Sequence, residues 1–242
     1  MAKRPRKTTP DPITQRVRQR IFLLSPANCG GPRARLMTSP NAAFQLARQL
    51  QSRDGAALGE VFSFVSGLYF RGKLAYARRF AHPPDPTDPV VAGGVLVITP
   101  NAGLRAADTP VTLSSFEGFA ATDIDLANPA YRKPLEQAAK SVLTAVGPDC
   151  EVVLLGSIAS TKYVDLLLPV FGDRLMFPLH FIGRGDMSRG GLLLRCVTAG
   201  LELEYVPLKG AIRHGKRPPK LEPLRTPTIP TGTKGTKGKP HV

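Results

Sequence analysis

The chain alternates short apolar runs with stretches whose apolar residues recur at helical spacing. "IFLLS" (21–25) is a continuous apolar run stopped by Pro26, which predicts a short buried strand. "GVLVITP" and "EVVLLGS" read the same way. "RLMFPLHF" is a fourth strand-like piece. In "LELEYVPL", Leu201, Leu203 and Tyr205 alternate with Glu202 and Glu204, which predicts a strand with one wet face at a sheet edge.

Helices are predicted between these strands. Ser39-Pro40 offers a cap and a first-turn proline, and Ala43, Leu46, Ala47 and Leu50 follow at i, i+3, i+4, i+7. "LYFRGKLAYARRFA" (68–81) places Phe70, Leu74, Ala77 and Ala81 on one side and Arg71 and Arg78 on another. Asn128-Pro129 opens a helix that Gly147-Pro148 closes, a start and a stop each with a mechanism. "TKYVDLLLPVFG" is predicted helical with Pro169 near its end, and "SRGGLLLRCVTAG" is a helix closed by Gly200.

Strand, helix, strand, helix is the pattern of an α/β fold. Continuous apolar strands imply a mostly parallel sheet flanked by helices on both faces. The expected organisation is a single domain over 21–208, with a basic disordered tail at 1–20 and a second, Pro/Gly/Lys-rich, at 209–242.

Charge changes this picture mainly at the ends. The formal net charge is +15. Residues 1–20 hold seven Lys/Arg and one acid, and residues 209–242 hold nine Lys/Arg and one acid. The stretch between them is close to neutral. Basic tails on a neutral domain can bind polyanions without sequence preference, or serve only as solvated tails. The longest apolar runs are too short to span a membrane, and the N-terminus lacks a signal-peptide core. The reading is a soluble, cytoplasmic protein with no membrane partner. The three cysteines, Cys29, Cys150 and Cys196, are widely spaced and signal neither a disulfide framework nor a zinc site.

Open α/β sheets bind ligands beyond the carboxyl ends of their strands. The loops expected there are "SPANCGGPRA", "TPNAGL", "GSIASTKY" and "FIGRGDMSRGG". They bring Cys29, Asn101, Ser157, Lys162, Arg184, Gly185, Asp186, Ser188 and Arg189 to one edge. Such loops also need Gly, Pro, Ser and Asn merely to turn and cap. In the last of them, Ser188 or Asp186 can cap the helix that follows. Its free N–H groups beside Arg184 and Arg189 would suit a phosphate or carboxylate, or the stretch is only a capped turn with structural arginines. It is not a dinucleotide fingerprint, because Ser188 replaces the third glycine, and it is not a P-loop, because no Lys-Ser/Thr follows Gly190.

Catalytic candidates are few. Cys29 precedes Gly30-Gly31 just after the first strand, where a nearby helix start would favour the thiolate; a buried structural cysteine is the alternative. Asp123 and Asp125 in "TDIDL" could bind magnesium or act as a base, or serve helix entry. No G-x-S-x-G is present. The four histidines lack ligand spacing, no metal site or cofactor is expected, and His180 reads as a packed or hydrogen-bonded residue.

Four landmarks recur in order: Cys29-Gly30 after the first strand, the helix opening "LYFRGKLAYAR", the strand ending "TPNAGL", and "VVLLGSIASTKYVDLLLP". Over roughly residues 21–180 they resemble a bacterial domain family related to the peroxide-stress protein YaaA. Gly103-Leu104 stands where the family has Gly-Leu. Two positions depart: no Lys follows the Cys-Gly pair, and "PNA" replaces the family's small-Lys-Tyr run. The resemblance implies an α/β fold and an association with DNA, and supplies no reaction.

The leading expectation is a nucleic-acid-associated α/β protein. Its tails would hold phosphates through Lys and Arg, and its strand-end pocket would take a nucleotide or base. Arg184 and Arg189 would hold phosphate, Cys29 and Asn101 would line the pocket, and Lys162 would add charge. The alternatives are an enzyme acting on a small anionic, phosphorylated metabolite, and a non-catalytic interaction protein. Whether the chain is an enzyme and what its oligomeric state is stay open at this level.

Overall fold

The computed structural model describes residues 18–213 and 215–221. The chain forms an α/β fold around a six-stranded, mostly parallel sheet. The elements in chain order are β1 (Arg20–Leu24), α1 (Pro32–Thr38), α2 (Gln45–Gln51), β2 (Ala56–Ala57), α3 (Leu58–Ser66) and α4 (Leu68–Phe80). Then come β3 (Val95–Ile98), β4 (Leu104–Ala106), β5 (Pro110–Val111), α5 (Leu113–Ala120) and α6 (Pro129–Ala145). β6 (Glu151–Leu155), α7 (Thr161–Phe171), β7 (Leu175–Pro178), α8 (Asp186–Ala199) and β8 (Tyr205–Pro207) complete the domain.

The strand order is β4-β3-β1-β6-β7-β8. β1 pairs in parallel with β3 on one side and β6 on the other, with Phe22 opposite both Val95 and Val153. β6 and β7 are also parallel, whereas β4 and β8 are antiparallel edges. β2 and β5 form a separate two-stranded ribbon.

Alternation along the buried strands feeds two cores. Phe22, Leu24, Val95, Val97, Val153 and Leu155 face one side, where α1 to α5 and α8 pack. Ile21, Leu23, Leu96, Ile98, Val152 and Leu154 face the other, under α6 and α7. The chain therefore winds from β1 to β3 over one face and from β6 to β7 over the other. The change of direction falls between β1 and β6, which is the topological switch point of such a sheet.

Most sequence expectations match these elements. Asn128 accepts from the Ala130 N–H at 3.0 Å with Pro129 in the first turn of α6. Gly200 closes α8 in the left-handed region. Three expectations change. Ser39-Pro40 starts no helix: Ser39 anchors a turn through the Ala42 N–H, and the predicted stripe is divided, so that only Ala47 and Leu50 lie buried on α2. The edge strand is confined to Tyr205–Pro207, and Leu201, which the alternation placed inward, is exposed. His180 is exposed in a short 3-10 turn rather than packed.

At the amino end of the sheet, Arg20 is paired with Glu151 at 2.8 Å and with Glu202, and lies over the Tyr205 ring. The Tyr205 hydroxyl in turn bonds that of Tyr76 at 2.6 Å. This cluster ties β1, α4 and β8 together at the end opposite the loops that form the candidate site. No helix among the described residues is long and apolar enough to cross a membrane. The 1–20 tail lies outside the described residues up to residue 17. The C-terminal tail lies outside them at His214 and from residue 222 on.

Candidate functional site at the strand switch point

The loops after β1 and β6 leave their strands side by side and open a cavity of about 290 Å³. Ser25, Pro26 and Asn28 come from the first loop; Ser157, Lys162 and Tyr163 come from the second. Tyr69 and Lys73 enter from α4 and Asp186 from the start of α8. An adjoining cavity of about 380 Å³ shares Pro26, Asn28, Ile124 and Lys162 and extends to Cys29, Pro100 and Asp123. Ligand pockets run from about 300 to 1,000 Å³, so the pair is of a size for a small molecule.

Gly156 makes this junction possible. A Cβ there would stand 2.8 Å from Ser25 Cβ, 3.1 Å from Ser25 Oγ and 3.0 Å from Tyr163 Oη. Ser25 is held from both sides: its N–H donates to the Leu155 carbonyl at 3.1 Å, and its carbonyl accepts from Lys73. The Tyr163 hydroxyl donates to the Ser157 carbonyl at 2.9 Å, which pins the second loop.

Lys73 is the central charge of the site, and it is absent from the residues that the sequence motifs single out. It is 1% exposed. Its Nζ donates to the Ser25 carbonyl at 2.6 Å and lies 2.8 Å from Ser25 Oγ. It also sits 4.7 Å from the Tyr69 ring centroid and 4.6 Å from that of Phe70. No carboxylate lies within ion-pair distance of it among the described residues. Burial pushes the amine down to about 7, and the Asp186 carboxylate partly opposes that fall. Desolvation disfavours the ammonium, while the carbonyl and the aromatic faces favour it, and the balance leaves the proton exchangeable near neutrality. A lysine so perturbed inside a cleft is a candidate functional group. A signal is present in the sequence: Lys73 stands three residues after Phe70 and four before Ala77, on the apolar stripe of α4.

The structure sorts the predicted residues into groups. Cys29, Ser157, Lys162 and Asp123 line the paired cavities. Lys162 is exposed and makes no hydrogen bond or ion pair among the described residues. Asn101 does not reach the cavities. It bonds Thr122 Oγ1 at 3.3 Å, in a turn closed on itself by Thr99, whose hydroxyl donates to the Gly103 carbonyl at 2.8 Å. Asp125 accepts from the Ala127 N–H at 2.9 Å and serves the entry to α6. Among the described residues no cluster of His, Cys, Asp and Glu could hold a metal.

Of the two readings of Cys29, the buried one fits the structure. A helix does start nearby, but α1 is only seven residues long and the thiol is buried. Burial pushes it up to about 12, and its S–H contacts the Ala27 carbonyl at 3.7 Å. Desolvation of the thiolate outweighs a short helix end, which favours the packed thiol over the reactive one.

The Gly-rich stretch before α8 also divides. Arg189 is nearly buried: Nε and Nη2 donate to the Phe181 carbonyl at 3.3 and 3.1 Å, and Nη1 pairs with Asp186 at 3.4 Å. It is a structural arginine. Gly185, not Ser188 or Asp186, is the N-cap of α8, with no side-chain cap. Arg184 holds the turn through the His180 carbonyl at 3.1 Å and Ser188 Oγ at 3.1 Å. Arg184, Gly185 and Ser188 do not line the cavity that Asp186 lines. With Arg195, Arg217 and Lys220 they line a separate groove of about 340 Å³, whose outer wall is the segment 217–221. Residues 215–221 thus begin as a strap on the domain: a Cβ on Gly183 would stand 2.2 Å from the Lys216 carbonyl oxygen.

Comparison with protein-family models, with curated proteins and with solved structures finds no match for this chain.

Proposed function

We propose that this chain binds a small anionic molecule, of the size of a nucleotide or a phosphorylated metabolite, in the crevice between the carboxyl ends of β1 and β6. The observation that carries this reading is the coincidence of the switch point with a cavity that holds two lysines, one buried and one on the rim. Lys162 has no protein partner among the described residues and meets the ligand's charge. Asn28 and Ser157 offer neutral hydrogen bonds, and Ile124 an apolar wall.

Thermal unfolding of the full chain with a panel of nucleoside phosphates and small phosphorylated acids tests this. A ligand at a hundred times its Kd stabilises by about 2.7 kcal/mol. The gain is expected to vanish in Lys162→Ala with unchanged stability of the free protein. No stabilisation by any member at millimolar concentration opposes the reading, as does full retention of the effect in the variant.

A second reading, association with nucleic acid, is supported by the groove beside α8. Arg184, Arg195, Arg217 and Lys220 line it, and no acid does among the described residues. The family resemblance implies the same partner. The basic tails proposed to hold phosphates lie largely outside the described residues. Binding of the full chain to a labelled duplex over a salt series is the check. The double variant Arg184→Ala, Arg217→Ala is expected to flatten the log–log slope by about 0.9 for each phosphate that is no longer neutralised. An unchanged slope places any binding elsewhere.

A further inference from the structure

We propose that Ser25 and Lys73 form a nucleophile–base pair, with Ser25 Oγ attacking a carbonyl carbon and Lys73 Nζ taking its proton. The crevice would then carry acyl transfer on esters or amides that bear an anionic group. This goes beyond ligand binding, although it shares the cavity proposed for it.

Geometry comes first. Ser25 Oγ and Lys73 Nζ are 2.8 Å apart, within the reach required of a nucleophile and its base. Both residues line the cavity. The serine backbone is fixed through its N–H and its carbonyl, so the hydroxyl is presented from a rigid strand end. An amine that accepts from Ser25 Oγ–H still has an N–H for the Ser25 carbonyl, so both bonds persist in the neutral form.

A purely structural lysine explains less. A cation buried without a carboxylate has a large desolvation cost, and an apolar side chain of similar volume would fill this stripe position on α4 without it. Burial poises the amine near neutrality, as a general base requires. The groups around it are Tyr69 on its own helix, Asp186 and Arg189 on α8, and Tyr163 and Lys162 on α7. Burial pushes the Tyr163 hydroxyl up, and its interactions with Ser157, Ser160 and Ser25 restrain the rise. Tyr163 therefore stays protonated and keeps its donation to the Ser157 carbonyl, which holds the second loop beside the reacting oxygen.

The step balances without a co-reactant other than water. The Ser25 Oγ–carbon bond forms as the Oγ proton passes to Lys73. The tetrahedral intermediate collapses, the bond to the leaving group breaks, and Lys73 returns the proton to that group. Water, deprotonated by Lys73, then attacks the acyl-serine. The acid leaves and Ser25 recovers its proton. A single charge develops on one oxygen, which Lys162, the one exposed cation lining the crevice among the described residues, suits.

The experiment is labelling of the full chain with a fluorophosphonate, followed by peptide mass mapping. A label on Ser25 is expected, absent in Ser25→Ala and at least a hundredfold slower in Lys73→Met, the lower end of general-base contributions. The wild-type labelling rate is expected to rise with pH through an inflection near 7, a readout that needs no variant to fold. Absence of label at Ser25 in the folded chain overturns the proposal. A rate that is flat from pH 6 to 9 overturns it too, as does an Lys73→Met rate equal to wild type. Ligand-induced stabilisation that survives such a result leaves the binding reading standing and removes only the chemistry.

Discussion

Gly72 on α4 and Gly190 on α8 meet backbone to backbone. A Cβ on Gly72 would stand 2.8 Å from the Gly190 carbonyl oxygen, and one on Gly190 would stand 2.8 Å from Tyr69 Cα. This close approach seats α4 against α8, and so brings Lys73 and Asp186 to the same cavity. Gly190→Ala is expected to destabilise, because overpacking costs about 1–3 kcal/mol and exceeds the gain of about 1 kcal/mol in helix propensity. For a chain of this size each kcal/mol lowers Tm by about 2–4 °C. Gly191→Ala is the control: among the described residues its Cβ would meet only the Leu221 side chain, at 3.6 Å, and its Tm is expected to stay level or rise. Equal behaviour of the two variants in thermal unfolding would contradict the tight crossing.

The Lys73 amine falls to about 7 in the folded chain from an ordinary 10.5. Between those values the unfolded chain holds a proton that the folded chain has released, so stability rises with pH across this window. Below about 7 both states are protonated and the contribution is flat. Wild type is therefore expected to gain on Lys73→Met as pH climbs from 7 to 9, by at most about 1.4 kcal/mol per pH unit. Urea unfolding of both proteins at three pH values measures it. A constant difference would mean that Lys73 keeps its proton in the fold.

Cys29 is expected to resist thiol reagents in the native protein at pH 8, because its thiol is buried and pushed up to about 12. Cys196, which is only partly buried, should react first. Kinetics with a chromogenic disulfide, with and without denaturant, and peptide mapping separate the two. Fast modification of Cys29 in the folded chain would restore it as a reactive residue.

The two arginines of the turn before α8 should behave differently. Arg189→Ala removes two charged hydrogen bonds from the Phe181 carbonyl, which among the described residues keeps only the Arg184 N–H at 3.2 Å. A loss of about 1–3 kcal/mol is expected. Arg184 is half-buried, with its bonds to His180 and Pro219 exposed to solvent, and its alanine variant should lie within about 0.5 kcal/mol of wild type. Denaturant midpoints of the two variants decide the matter.

Gly156→Ala is expected to damage the crevice more than the fold. Its methyl would press on Ser25 and on the Tyr163 hydroxyl, which displaces the group proposed to react. Loss of fluorophosphonate labelling with a retained far-UV spectrum is the expected outcome. Unaltered labelling would show that the two loops are less closely joined than their geometry implies.

The sequence by itself determined the α/β class, the buried central strands and the helices with signals at their own ends. Continuous apolar runs fit only a sheet covered on both faces, and Asn128, Gly147 and Gly200 act on their nearest neighbours. Local pattern did not yield α3 and α5, whose apolar residues are interleaved with Ser and Gly. Nor did it divide the stretch after Ser39, where tertiary packing overrode a good cap.

Only the tertiary structure decided which loop residues share a site. Ser25 and Lys73 are 48 positions apart, and they meet because the apolar stripe of α4 packs on the face of β1 that carries Phe22 and Leu24. The charges most visible in the sequence, Arg184 and Arg189, face a groove and a backbone carbonyl. The buried Lys73 was legible only as one polar residue on an apolar stripe. Burial, which sets both its proton affinity and that of Cys29, is a property of the packed chain and is written in no single segment.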